Sequence, residues 1–165
     1  MTNALKPIPE VVDIDSGVED AKIVAKELAK VLSDTYNLTI KTHAVHWNVE
    51  GPMFFAVHNL TEAQYGDLFD AADVIAERIR ALGHLTAMSP SSLLKGSVVT
   101  DITDAADAIT LCESLAEDHT KVAKRLHDVI EKAGDAGDPV TEDLATARAA
   151  FHEKAAWMLR ALATT

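Results

Sequence analysis

Residues 54–83 read FFAVHNLTEAQYGDLFDAADVIAERIRALG. It holds no proline, closes on Gly83 and shows no strand-like alternation, which predicts a helix of about eight turns. His58 and Glu62 stand four residues apart, and so do Asp73 and Glu77. At about 100° per residue the four fall within an arc of roughly 100°. One helix face therefore carries two pairs of metal-capable groups. Singly, each would read as part of a solvated polar face. As a set among Phe54, Phe55, Val57, Leu68 and Phe69 they predict a buried site or an interface.

The spacing also predicts where such a site lies. His58 and Asp73 are separated by about 22 Å of helix, too far to share one ion within one chain. An antiparallel copy of the same helix, about a two-fold axis near residues 67–68, brings the His58–Glu62 end of one chain to the Asp73–Glu77 end of the other. Such an isologous contact creates two equivalent sites per dimer. His46 adds an imidazole just before the Gly51-Pro52 turn, and Trp47 follows it.

Upstream, Ser16-Gly17-Val18-Glu19 fits a capping box. Apolar residues from Val24 to Val45 at helical spacing then predict a first helix over about 17–47. Residues 1–16, with Pro7 and Pro9, read as a flexible tail, leaving 17–165 as one domain. Downstream of Gly83 comes a loop with Ser89, Pro90, Ser91 and Ser92, in which Leu93-Leu94 suggest a short helix. A third long helix is expected over about 104–133, entered through Thr103 or Asp101 and closed by Gly134. Asp138-Pro139 reads as the N-cap and first-turn proline of a fourth. The predicted class is all-α, a four-helix bundle with one longer central connection.

Composition bounds the function. The 165 residues are 48% hydrophobic but only 5% aromatic, which suits packed helices. Fifteen basic against 26 acidic residues give a net charge of −11, which favours cations and disfavours nucleic acid and anionic membranes. Cys112 is the only cysteine, so neither an internal disulfide nor a thiolate zinc site within one chain is expected. Met1 to Asp13 does not read as a signal peptide, and no stretch reads as a membrane span. A soluble, cytoplasmic protein is expected.

Ferritin-like bundles with an internal di-iron site use Glu-x-x-His pairs. None of the seven histidines, 43, 46, 58, 84, 119, 127 and 152, has glutamate three residues before it. A di-iron centre of that kind is therefore not expected inside the bundle. His119, His127 and His152 read as surface or structural residues.

His46-Trp47-Asn48-Val49-Glu50-Gly51, followed by Val57-His58 and Glu62, resembles the first signature of the Dps mini-ferritins. Asp73-Val74-Ile75-Ala76-Glu77-Arg78 with Leu82-Gly83 is similar to the second. The likeness extends over residues 17–163. It implies a ferritin-like bundle assembled into a hollow homo-dodecamer that oxidises Fe²⁺ with hydrogen peroxide or oxygen and stores Fe³⁺ mineral. By position, His46, His58 and Glu62 come from one chain and Asp73 and Glu77 from its partner. Three departures stand out: Glu62 where aspartate is common, Ala72 where a larger residue is usual, and His84 in place of a second glycine.

Around this set, Trp47 reads either as packing or as a quencher of stray oxidising equivalents. His43 reads either as a further ligand or as a hydrogen-bonded neighbour. Asp135, Asp138, Glu142 and Asp143 are candidates to line a threefold pore, although Asp138 also suits a helix cap. The expected function is an iron-detoxifying ferroxidase and storage cage that protects against oxidative stress. DNA compaction and metal binding without turnover are the alternatives. Tight DNA binding is not expected, because neither terminus is basic.

Overall fold

The computed structural model describes residues 11–12, 14–102 and 106–164. Four long helices and one short one follow in order: α1 (Ala21–Asn48), α2 (Phe54–Ala81), α3 (Pro90–Leu93), α4 (Ala108–Asp135) and α5 (Pro139–Ala163). α1 packs along α2, and α4 along α5; α1 meets α4 and α2 meets α5 to close the bundle. Leu28, Leu38, Leu68, Ile75, Leu115, Leu126 and Leu159 fill the core.

A ladder of ion pairs at seven-residue steps sets the register of α1 on α4. Lys41 meets Asp118 at 2.5 Å, Asp34 meets Arg125 at 2.8 Å and Glu27 meets Lys132 at 3.2 Å. The numbers rise in α4 as they fall in α1, so the two helices are antiparallel. The long connection from α2 to α4 must therefore travel the length of the bundle. Buried carboxylates hold it there: Asp34 accepts from Ser97 and the Val98 amide, and Asp118 accepts from Thr100.

Several helix ends differ from the sequence expectation. The Ser16–Glu19 capping box does not form. Gly17 turns the chain at φ +72°, and the Glu19 amide donates to the Ala136 carbonyl between α4 and α5. α1 consequently begins at Ala21, after Asp20. α4 begins at Ala108, because the Asp107 side chain accepts from the Thr110 amide and caps it there. Asp101 lies outside the helix, and the alternative entry residue Thr103 lies outside the described residues. Gly134 is inside α4; Gly137, at φ +65°, makes the turn.

The expected tail over 1–16 is docked in part. The Val12 amide donates to the Gly83 carbonyl at 2.8 Å, and Val11 forms an antiparallel bridge with His84. Residues 1–10 and 13 lie outside the described residues. No helix among those described is long and apolar enough to cross a membrane.

Candidate functional site

The turn between α1 and α2 folds His46 against His58. Their rings stack with centroids 3.7 Å apart. Each ring reaches across to the other residue's backbone: His46 Nδ1 lies 2.9 Å from the His58 carbonyl, and His58 Nδ1 lies 3.0 Å from that of His46. A carbonyl oxygen only accepts, so both Nδ1 atoms must carry the proton. In the neutral tautomer each Nε2 then holds a lone pair, the arrangement by which second-shell bonds prepare histidine for a metal.

Thr61 reinforces the pair. Its hydroxyl donates to the carbonyls of Val57 and His58 and lies 3.3 Å from His46 Nδ1. Tyr65 presents its ring edge-on to His46 and packs on His43, which in turn stacks on Trp47 at 5.0 Å. His43 is thus a stacking neighbour in this chain. Thr61 and Tyr65 escaped the sequence reading. Their only signal was helical spacing, three and seven residues after His58.

Glu62, Asp73 and Glu77 are exposed along α2. No group of three or more His, Cys, Asp or Glu side chains able to hold a metal forms within the single chain among the described residues. The same face exposes large apolar groups: Phe55 is 77% accessible and Phe69 62%. Apolar and ligand-type side chains together give α2 the composition of an interface.

The pore candidates divide. Asp135, Glu142 and Asp143 are exposed, whereas Asp138 is buried. Asp138 caps α5 through the Thr141 amide, accepts from the Thr141 hydroxyl and pairs with Arg78 at 2.7 Å. Burial pushes its pKa up, but the bonds from Arg78 and Thr141 outweigh that and hold it below the ordinary range. Its carboxylate is thus engaged inside the chain, unlike those of the three exposed candidates.

A ferritin-like domain model matches residues 25–165. The DNA protection during starvation protein of Agrobacterium fabrum is 35% identical over 139 residues, covering 81% of this chain and 83% of the relative. The chain belongs to the Dps family of ferritin-like proteins. Among solved structures, Dps from Staphylococcus aureus superposes on this Dps chain with a TM-score of 0.84 at 32% identity, covering 87% of this chain and 97% of that one. The Dps protein of Vibrio cholerae O1, described as a member of a broad superfamily of ferritin-like diiron-carboxylate proteins, gives 0.80 at 30% identity, covering 86% and 89%. The helical bundle and the family predicted from the sequence are both borne out.

Proposed function

We propose that this Dps chain is the subunit of a dodecameric cage that oxidises Fe²⁺ at sites shared between two-fold related chains and stores the Fe³⁺ product. The observation that carries this reading is the reciprocal locking of His46 and His58, which leaves two Nε2 lone pairs beside the carboxylate-bearing face of α2. Fe²⁺ is the substrate. His46, His58 and Glu62 of one chain and Asp73 and Glu77 of its partner bind it. Imidazole and carboxylate suit ferrous iron, and oxygen donors increasingly favour the ferric product.

The electrons balance with either oxidant. One hydrogen peroxide takes one electron from each of two Fe²⁺ ions and, with two protons, leaves as two waters. Dioxygen takes two electrons and two protons to become hydrogen peroxide. Fe³⁺ then passes inward and nucleates on acidic side chains. Glu142 and Asp143, exposed on the first turns of α5, are the remaining pore-lining candidates there, with Asp135 beside them. Trp47, stacked on His43 and 70% exposed, is placed to take up stray oxidising equivalents or simply to pack in the assembly. A cytoplasmic, stress-protective role fits this activity.

The test is stopped-flow oxidation of Fe²⁺ with peroxide and, separately, with oxygen. Changing His46→Ala and His58→Ala together should slow it at least 10–100-fold, roughly the cost of losing even an outer-sphere partner. Helical content should be retained. Wild-type rates in the double variant would remove these residues from the site.

A further inference from the structure

Partway along the bundle, the inward stripes of all four long helices become polar at one level. Thr42 of α1, Gln64 of α2, His119 of α4 and His152 of α5 are the polar residues there, each at most 3% exposed. Neighbouring contacts fix the level. Lys41, beside Thr42, pairs with Asp118, beside His119. His43, on the other side of Thr42, packs on Tyr65, beside Gln64. Phe151, beside His152, lines a groove with Gln64 and lies 6.0 Å from the His119 ring.

The hydrogen bonding within this layer is incomplete. The Nδ1 atoms of His119 and His152 are 2.9 Å apart, so one donates its proton to the other. His119 Nε2, both polar atoms of Gln64 and the Thr42 hydroxyl have no protein partner. Thr35 and Thr39 return their hydroxyls to carbonyls four residues back, but Thr42 does not. Leaving a buried polar group without a partner is costly, and native interiors hold few of them. Four such atoms at one level call for a small guest that both donates and accepts.

The layout is that of an intra-bundle metal site, with one inward residue from each helix, but the donors are all neutral. Ferritin-like di-iron sites supply glutamates from these directions. Asp118, beside His119, is engaged by Lys41, Lys121 and Thr100, and Asp67, one turn after Gln64, is engaged by Arg148. Arg148, one turn before His152 on α5, adds a positive charge. A divalent cation here would be buried without a compensating anion, which is strongly unfavourable.

The geometry points to an internal hydration site: at least one ordered water molecule bridges His119 Nε2 and Gln64, with Thr42 as a further partner, where a metal-bearing bundle would hold its ions. Water meets the requirement of two to four polar partners that buried waters normally have. This inference stands independently of the ferroxidase reading, because none of these residues belongs to the interface site.

The deciding experiment is a crystal structure of the assembled protein at a resolution that shows ordered solvent, from crystals soaked in Zn²⁺ and from unsoaked ones. The expected result is solvent density about 2.7–3.2 Å from His119 Nε2 and from Gln64 or Thr42. The soaked crystals should give no anomalous zinc signal in the layer. In Gln64→Leu the bridging water should be lost while the His119–His152 contact persists. A zinc peak between the histidines would overturn the proposal. So would a dry layer in which His119 Nε2 bonds directly to Gln64. Should the leucine variant fail to fold, the wild-type crystals decide by themselves.

Discussion

His46 and His58, the two imidazoles proposed as iron ligands, show how little backbone is needed to orient a pair of rings. Each imidazole uses the other residue's carbonyl as its orienting acceptor, so both tautomers follow from one turn. The common helix face of His58, Glu62, Asp73 and Glu77 was legible in the sequence, because spacing alone fixes the angle between residues of one helix. The reciprocal bonds were not, since they depend on how α1 meets α2 across Val49–Met53. Gly83 illustrates the same limit. Its place at the end of α2 was readable, but its contact with the N-terminal segment was not. It sits at φ +87°, and a Cβ there would collide with the Val12 carbonyl. Gly83→Ala should therefore destabilise the protein by about 1–3 kcal/mol, the usual range for such strain, and free the segment around Val12. Gly134→Ala, inside α4 with only ordinary contact to Glu142, should instead be neutral or slightly stabilising. Urea unfolding and limited proteolysis of the two variants check this; equal stability would mean that the N-terminal segment is not held at Gly83.

Among the elements, helix identity followed from periodicity, whereas helix ends followed from competition among caps. Ser16 and Asp101 looked like entries, but Glu19 is drawn to the α4–α5 corner and Asp107 supplies the bond that starts α4. Asp138 was foreseen as a cap; its pairing with Arg78, sixty residues away in sequence, was not. The buried histidines of α4 and α5 carry a pH signature. Burial chiefly, together with Arg148, lowers the His119 pKa to about 3 and that of His152 well below its ordinary value. The unfolded chain protonates both below about pH 6.5, while the folded chain does not until far lower. The unfolded state therefore binds more protons in that window, so the stability contribution is full above it and falls as the pH drops. Each histidine contributes a slope of up to about 1.4 kcal/mol per pH unit. Urea midpoints should decline from pH 7 to 5, and His152→Asn should flatten the decline. A wild-type midpoint independent of pH over this range would contradict the buried neutral pair.

At the scale of the whole molecule, the acidic surface and the docked N-terminal segment argue against nucleic acid as a partner. Residues 1–20 hold one base, Lys6, against five acids, and Ala161 to Thr165 hold none. The Val12 amide is tied to the Gly83 carbonyl. DNA affinity arises from several cations neutralising phosphates together, and it is lost steeply with salt. At about 150 mM salt, in the range where such electrostatic binding weakens, no mobility shift of duplex DNA is expected at sub-micromolar protein with chelator present. A shift under those conditions would restore the DNA-compaction reading.

In the proposed assembly each iron site is completed by a second copy of the chain. One chain presents His46, His58 and Glu62 at one end of the α2 face and Asp73 and Glu77 at the other. Cages assembled from a His46→Ala/His58→Ala chain and an Asp73→Ala/Glu77→Ala chain test this directly. Each parent cage should oxidise Fe²⁺ slowly. In a mixed dimer the two intact halves face each other, and one of its two sites is restored. Random pairing should therefore recover about a quarter of the wild-type initial rate, as the two-fold geometry requires. Verified mixed cages that oxidise iron no faster than either parent would contradict the shared site.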